Sequence, residues 1–195
     1  ARSQSVVADV QAANGSYPAS EAFARQELKR LTEEWTAAQP SGAIVLERQS
    51  LPASADLRNF FNRYPDNSGV FVTDRYSGLV AVTSAHGQFS HSNEVWWTLA
   101  YNGGIGAVYI GPPEFEPDNN AYSLTIAIPI YQPNSREVIG ILHTRYRLQT
   151  VINQLAGIDV GSTGEAMLFN ESSQRLDTTS AVETRIPQNE WEAML

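Results

Sequence analysis

Residues with nucleophilic, acid–base or metal-binding side chains are few in this 195-residue chain, and their spacing matches no catalytic site. Asp74, Ser84 and His86 supply the residue types of a hydrolytic triad, but no Gly-x-Ser-x-Gly sequence surrounds the serine. His86, His91 and Glu94 could begin a metal site, yet such sites usually need three or four ligands with a fixed second shell, and no further ligand is evident. We therefore predict that the chain is not an enzyme and holds no metal or cofactor.

The charge balance and composition exclude further classes of protein. The net charge is −8, from 21 acidic and 13 basic residues, so the clustered cations that bind nucleic acid are missing. Cysteine is absent, which excludes disulfides and thiolate metal sites. No apolar run approaches the length of a membrane span. Because the chain starts at Ala1 without an initiator Met, we expect a segment of a longer protein whose membrane helices lie outside it.

Helical patterns dominate the first third of the chain. Residues 1–13 and 20–39 are predicted to be helices, separated by Asn14-Gly15 and Tyr17-Pro18. Ser20 is a suitable N-cap for the second helix, whose apolar positions are Phe23, Leu28, Leu31 and Trp35. Residues 43–48 are predicted to be a short strand, and Asp56 to cap a third helix.

Alternating patterns follow and predict five antiparallel strands with one helix inserted. The predicted strands are residues 70–73, 79–83, 107–110, 122–130 and 138–146, and the inserted helix covers 91–101. Gly78 is expected to supply a positive φ in the first turn. A short exit helix is predicted over 149–155, and the strand–turn pattern begins again with 166–169.

Several sequence segments, in one order, resemble the double Cache family of bacterial sensor domains. They are VFVTDRYSGLVAVTS, NEVWWTLAYNGGIGAVYI, LTIAIPIYQPNSREVIGILHTRYRL and GSTGEAMLFN, and the resemblance covers about residues 20–180. It implies an α+β, PAS-like Cache module: a five-stranded antiparallel sheet with flanking helices and a long N-terminal helix. The implied organisation is a helical stalk (1–40), a membrane-distal Cache module (41–156) and a partial second Cache-like subdomain (157–195).

The family signature for amino-acid ligands, Tyr-x4-Arg-x-Trp-Tyr, keeps its spacing here but changes its chemistry. Phe89 stands at the first tyrosine, Glu94 at the arginine, Trp96 at the tryptophan and Trp97 at the last tyrosine. The two tryptophans are about 100° apart on a helix, so we expect one of them in the core and the other beside a ligand.

A second charge is exchanged at the end of the last strand. The aspartate of the family pattern falls on Arg145, whereas Tyr109 matches a tyrosine that lines the same pocket. Glu94 and Arg145 would either pair with each other and close the pocket, or bind a ligand of mixed character, with the arginine taking its anionic or carbonyl end. His143, in the middle of the same strand, is expected to satisfy a hydrogen bond within the sheet.

The resemblance implies an extracytoplasmic small-molecule sensor domain of a histidine kinase or chemoreceptor, whose ligand is not a simple amino acid. The ligand-binding residues would be Phe89, Glu94, Trp96, Trp97, Tyr109 and Arg145. It allows a homodimer through the N-terminal helices and contact with the membrane only through flanking segments. The alternative is a dimerisation or interaction module without a ligand, whose pocket is filled by its own side chains.

Overall fold

The computed structural model describes residues 3–38, 40–84, 87–117, 120–158, 161, 166–176 and 185–194. The helices are α1 (Gln4–Ser16), α2 (Glu21–Ala37), α3 (Ala43–Ser50), α4 (Pro52–Arg63), α5 (Val95–Tyr101), α6 (Gln149–Ala156) and α7 (Gln188–Met194). The strands are β1 (Asn67–Asp74), β2 (Leu79–Val82), β3 (Tyr109–Glu116), β4 (Ala121–Tyr131) and β5 (Val138–Arg147).

The five strands form one antiparallel sheet in the order β2-β1-β5-β4-β3. This confirms the predicted sheet, with α5 inserted in the chain between β2 and β3. The α+β, PAS-like architecture with flanking helices is likewise confirmed. In the β1–β2 hairpin Val72 lies opposite Ala81, and the register shifts at the next residue of β1, Thr73.

Alternation along β1 determines which residues face which helices, because successive strand side chains point to opposite faces. Val70 and Val72 pack with residues of α1 and α4 on one face of the sheet. Phe71 packs against the side chains of α5, and Thr73 hydrogen-bonds to Trp97 of the same helix. The helices therefore cover both faces of the strand.

The turn between β1 and β2 is organised by the buried carboxylate of Asp74. Its Oδ1 accepts the backbone N–H groups of Tyr76 at 2.8 Å and Gly78 at 2.9 Å. A positive φ was predicted for Gly78, but the residue of this turn that has a positive φ is Ser77, at 75°. Gly78 is required for a different reason, since a Cβ there would lie 2.5 Å from the Tyr17 hydroxyl.

Two predictions for the N-terminal segment were wrong. Residues 43–48, predicted as a strand, lie in helix α3, where Ile44 and Val45 are buried on one side. Helix α1 also continues through Asn14, predicted to end it, to Ser16. The Asn14 side chain donates to the Ile139 carbonyl at 2.8 Å and accepts the Arg75 N–H at 3.1 Å. These tertiary bonds outweigh the local preference of asparagine for turns.

Helix α2 begins after Ser20 as predicted, although the serine side chain makes no capping bond. Trp35 is buried, but Phe23, predicted to pack with it, is 61% exposed. Helix α4 begins at Pro52 instead of at Asp56. The Asp56 carboxylate accepts hydrogen bonds from the hydroxyls of Ser3 and Ser5.

The chain divides into two compact units, residues 1–110 with 125–145 and residues 111–124 with 146–195. In the second unit β3 extends to Glu116, beyond residue 110 where the predicted strand ended. Tyr122, Leu148 and Leu176 form its core. In place of the predicted strand 166–169 there is one bridge, between Phe169 and Arg175.

None of the helices in the described part of the chain is both long enough and apolar enough to span a membrane.

Candidate functional site

Helix α5 lies on one face of the sheet and carries the two tryptophans of the family signature, Trp96 and Trp97. Trp96, Trp97 and Ala100 are buried against Val138 and Ile141 of β5. The helix lasts less than two turns, because Asn102 at its C-terminal end adopts a left-handed conformation with φ 47°. A short, largely aromatic helix is thereby held against strands that come from distant parts of the chain.

Beneath α5, three rings form a stack in which Phe71 contacts two imidazoles. The ring centroids of Phe71 and His91 are 4.8 Å apart with planes inclined by 20°, and those of Phe71 and His143 are 4.4 Å apart with 18°. Trp96 lies across the stack, 5.3 Å from His91, 4.5 Å from His143 and 5.8 Å from Phe71. We call these four side chains the histidine–aromatic cluster.

The two tryptophans are equally buried, each 9% exposed, so the prediction that only one would lie in the core was wrong. Trp96 belongs to the cluster, whereas Trp97 stacks on Tyr101 at 4.9 Å and 14°. Its indole N–H donates to the Thr73 hydroxyl at 3.0 Å. Residues 100° apart can both be buried when the sheet beneath the helix is wide enough to meet two sides of it.

Hydrogen bonds determine which nitrogen of each imidazole carries the proton. His143 Nδ1 lies 3.0 Å from the Gly69 carbonyl oxygen, which can only accept, so Nδ1 is the protonated nitrogen and Nε2 is a lone-pair acceptor. His91 likewise bonds to the backbone of Gln88, and its buried Nε2 has no hydrogen-bond partner among the residues that the structure describes. The predicted hydrogen bond of His143 within the sheet is confirmed, since Gly69 is in β1.

Burial lowers the pKa of both imidazoles. The pKa of His91 falls from 6.5 to about 4 because burial penalises the charged ring. The pKa of His143 also falls to about 4, mainly through burial, with smaller contributions from the charges of His91 and Arg145. Both rings are therefore neutral at neutral pH, and an uncharged histidine–aromatic cluster lies between α5 and the sheet.

The charged residues of the predicted site are less buried than the cluster. Glu94 is half-buried at the residue preceding α5, and Arg145 is exposed. Alternation along β5 places Arg145 on the same face as His143, as the sequence alignment implied. The ion pairs found among the described residues do not include one between Glu94 and Arg145, so no such pair closes the site.

The other predicted site residues lie in two places. Tyr109 is half-buried and packs against the same group of side chains as Trp97. Phe89 is buried in a different cluster, 5.9 Å from Trp35. Phe71, His91, His143 and Thr73 were not among the predicted ligand-binding residues. A signal existed for His143, which is two residues before Arg145 and so shares its face of β5.

The structure offers no support for the catalytic and metal-site alternatives. Among the described residues no three His, Cys, Asp or Glu side chains come together to hold a metal ion. Asp74, one of the three residues of the possible hydrolytic triad, is buried in the turn between β1 and β2, where its neighbour is Tyr17. His86 lies outside the described residues. His91 and His143 each stack on Phe71 and make no ring contact with each other within the described structure, so they do not converge on one point.

Comparison of the structure with solved proteins identifies the fold. The chain is similar to the sensory domain of the Campylobacter jejuni chemoreceptor Tlp3 (CcmL), solved with isoleucine bound. The identity is 11% and the TM-score 0.53, over 96% of this chain and 74% of that one. It is also similar to the extracellular domain assigned to the histidine kinase rpHK1S-Z16, at 11% identity and a TM-score of 0.50, over 87% of this chain and 63% of that one.

The chain has the fold of a Cache sensor domain. A third similar structure is the ligand-binding domain of the Pseudomonas aeruginosa PAO1 amino acid chemoreceptor PctC in complex with GABA. The identity is 15% and the TM-score 0.49, over 88% of this chain and 70% of that one. No family model and no curated protein sequence matches the chain. The proteins that share its Cache fold are thus sensor domains of chemoreceptors and histidine kinases, at identities where likeness concerns the fold.

Proposed function

We propose that this chain is the extracytoplasmic sensor domain of a transmembrane receptor, a histidine kinase or chemoreceptor, and binds a small molecule between α5 and the sheet. The observation that carries the proposal is the histidine–aromatic cluster at the position of the Cache ligand signature. It combines flat apolar faces with a buried hydrogen-bond acceptor, His91 Nε2, that lacks a partner within the described part of the chain. Buried acceptors without partners are rare in packed cores and are typical of binding sites.

The charges around the cluster argue against a simple amino acid as the ligand. Recognition of an amino acid needs a cation for its carboxylate and an anion for its ammonium group. Here both buried imidazoles are neutral, Arg145 is exposed, and Glu94 stands where the family signature has its arginine. We infer a ligand with a flat apolar part and one hydrogen-bond donor, which could stack on Trp96 and donate to His91.

Signalling follows from the packing of the cluster. Its four rings pack against one another beneath α5, so we infer that a ligand displaces at least one of them. Binding therefore favours an arrangement in which α5 lies differently on the sheet, and differential affinity for two arrangements is the physical requirement of a sensor. The domain itself carries out no chemistry in this proposal.

A thermal-shift screen at about pH 7.5 tests the proposal with two matched variants. A ligand at 100 times its Kd adds about 2.7 kcal/mol to the free energy of unfolding. Trp96→Phe should reduce that gain, because the ligand is proposed to stack on Trp96. Trp35→Phe is the control, since Trp35 is similarly buried, at 7% exposed against 9% for Trp96, but belongs to a different cluster. Equal losses in both variants, or binding of unmodified amino acids, would contradict the proposed site.

The alternative is a ligand-free dimerisation module, and two observations favour it. The side chains of the cluster are packed against one another, and α2 presents Phe23 to solvent beside Pro18 and Arg30, in a surface groove. In that case no compound stabilises the protein and Phe23→Glu converts a dimer to a monomer. Sedimentation equilibrium of the wild type and of Phe23→Glu measures this. A stabilising compound together with an unchanged mass for Phe23→Glu would exclude the alternative.

A further inference from the structure

Two buried histidines in one site are unusual in a chain that contains three in all. His91 is 8% exposed and His143 is 4% exposed, although an imidazole that gains a proton is far better solvated in water than in a core. They are contributed by the segment before α5 and by β5, and each stacks on Phe71 of β1. The contact between helix and sheet thus depends on two side chains that titrate near physiological pH when exposed.

With the rings packed as they are, protonation of His91 would leave its new N–H group without an acceptor. In both imidazoles Nδ1 already donates to a backbone carbonyl, so the added proton has to reside on Nε2. The Nε2 atom of His91 is buried and has no hydrogen-bond partner among the described residues. A charged N–H in that position satisfies its hydrogen bond only when water reaches it, which requires the cluster to open.

The charged groups around the cluster do not compensate for protonation. On β5, Arg145 is close enough to His143 to oppose a second positive charge. Immediately before α5, Glu94 is the charged residue nearest in sequence to His91 and Trp96, and neither imidazole pKa is raised by it. From β1 the side chains facing the rings are those of Phe71 and Thr73, which carry no charge. Attraction of one imidazolium to the face of Phe71 is weaker than the cost of burying it, and two imidazolium rings near one phenyl ring repel each other.

We propose that acid is itself a stimulus of this sensor domain: His91 and His143 take up protons when the histidine–aromatic cluster opens, so that acidification releases α5 from the sheet. The proposal rests on the proposed sensory function, because it supplies the regulation of the same site. In the closed arrangement the four rings are packed beneath α5, and in the open arrangement α5 is released from the sheet. The proton is then the ligand that binds more tightly to the open arrangement. Any organic ligand that needs the cluster displaced then binds more tightly at low pH, because protonation has already opened the site.

Hydrogen exchange measured by mass spectrometry tests the proposal on the whole chain between about pH 7.5 and 4.5. The readout is the opening constant of α5 amides (Val95–Tyr101), corrected for the intrinsic effect of pH on exchange. For each histidine that gains a proton on opening, the opening constant should rise about tenfold per pH unit below about pH 6.5. If both histidines gain a proton, it should rise about a hundredfold per pH unit. Helix α1 (Gln4–Ser16), which packs on the opposite face, is the internal control and should stay protected.

Two double variants separate the effect of histidine titration on α5 opening from the effect of ring packing. His91→Phe with His143→Phe keeps the aromatic stack and removes both titrating groups. His91→Asn with His143→Asn keeps a side-chain N–H near the position of Nδ1 and removes the rings. In each double variant that folds, the pH dependence of α5 opening should disappear, whatever its level at pH 7.5. The single variants His91→Asn and His143→Asn should each retain about a tenfold dependence per pH unit, which gives a test even if both double variants fail to fold.

Three results would overturn the proposal. They are a pH-independent opening of α5 in the wild type, an equally steep dependence in the variants, and an opening of α1 as steep as that of α5, which would indicate global unfolding. The ligand screen at pH 7.5 is independent of these results. A ligand found there with no acid-driven opening would leave the sensory function standing and refute the acid stimulus, whereas acid-driven opening without any organic ligand would leave the proton as the stimulus.

Discussion

At the scale of single residues, burial decides the chemistry of the site more than charge does. Sequence reasoning placed Glu94 and Arg145 among six ligand-binding residues, but Glu94 is half-buried and Arg145 is exposed. The interior holds neutral His91 and His143, whose pKa values are lowered mainly by burial. An uncharged interior with oriented acceptors recognises ligands by stacking and hydrogen bonding, not by ion pairing.

The hydrogen bond from Trp97 to Thr73 provides a prediction at this scale. Thr73→Val keeps the shape of the side chain but leaves the buried indole N–H without an acceptor, which should cost about 1–3 kcal/mol. In the double variant with Trp97→Phe neither partner is left unsatisfied, so its cost should be lower than the sum of the single costs by about 1 kcal/mol. Urea unfolding of the four proteins measures this coupling, and additive costs would show that the bond contributes nothing.

At the scale of elements, the close approach of β1 and β5 positions Phe71 beside His143. Gly140 of β5 makes this approach possible, since a Cβ there would overlap the carbonyl oxygen of Thr73 and lie 2.9 Å from Val10 Cγ1. Phe71 and His143 can stack at 4.4 Å only while the two strands keep this spacing and register. The site is therefore a product of strand pairing as well as of α5.

Substitution of Gly140 tests this dependence. Gly140→Ala should destabilise the protein by about 3 kcal/mol, because the obstructing atom belongs to the backbone of a neighbouring strand. Gly15→Ala is the matched control: no atom lies within 4 Å of the added methyl group, and the helical position should gain about 0.5–1 kcal/mol. Thermal unfolding followed by far-UV circular dichroism gives both values. A tolerated alanine at 140 would show that β5 can shift away from β1.

Helix α2 offers a second test at the scale of elements. Leu31 is half-buried against the group of residues around Trp35, so Leu31→Ala should cost about 1–2 kcal/mol, less than a fully buried leucine would. Phe23 is exposed, and Phe23→Ala should change the free energy of unfolding of the monomer by less than about 0.5 kcal/mol. Urea unfolding at low protein concentration measures both. A large cost for Phe23→Ala that grows with protein concentration would indicate that α2 is a dimer interface.

At the scale of the whole molecule, opposing titrations shape the dependence of stability on pH. The folded pKa of each buried histidine is about 4 against 6.5 when exposed, so its stabilising contribution is complete above pH 6.5 and is lost as the pH falls toward 4. Burial of Asp74 has the opposite effect, because it raises the pKa of that carboxyl from 3.8 to about 6. Its contribution is complete below pH 3.8 and is lost as the pH rises through 6.

The opposing effects of the two histidines and of Asp74 on stability predict how the stability of Asp74→Asn depends on pH. The variant removes one group that binds a proton in the folded state between about pH 4 and 6, while both histidines continue to destabilise the folded state in that range. Its free energy of unfolding should therefore fall more steeply with acid than that of the wild type, by about 1.4 kcal/mol per pH unit. Urea titrations at pH 6, 5 and 4.5 compare the two slopes. Equal slopes would mean that Asp74 is ionised throughout, held so by its backbone N–H donors.

The sequence by itself determined the elements that depend on local pattern. Alternation at residues 70–73, 79–83 and 122–130 predicted strands that the structure contains, and the inserted aromatic segment predicted α5. The order of these elements, together with the signature from Phe89 to Trp97, indicated the Cache fold before any coordinates. These inferences held because periodicity and turn chemistry act between residues that are close in the chain.

Tertiary structure alone decided the site. Phe71, His91 and His143 come together because β1 pairs with β5 and α5 lies across them, and no local pattern encodes that contact. The same holds for residues 43–48, whose β-branched side chains suit a strand but are buried on one side of a helix. Side-chain burial sets the pKa of each imidazole, and burial depends on residues tens of positions away. Glu94 and Arg145, which the sequence alignment assigned to one pocket, do not form an ion pair with each other among the described residues, and one is half-buried while the other is exposed.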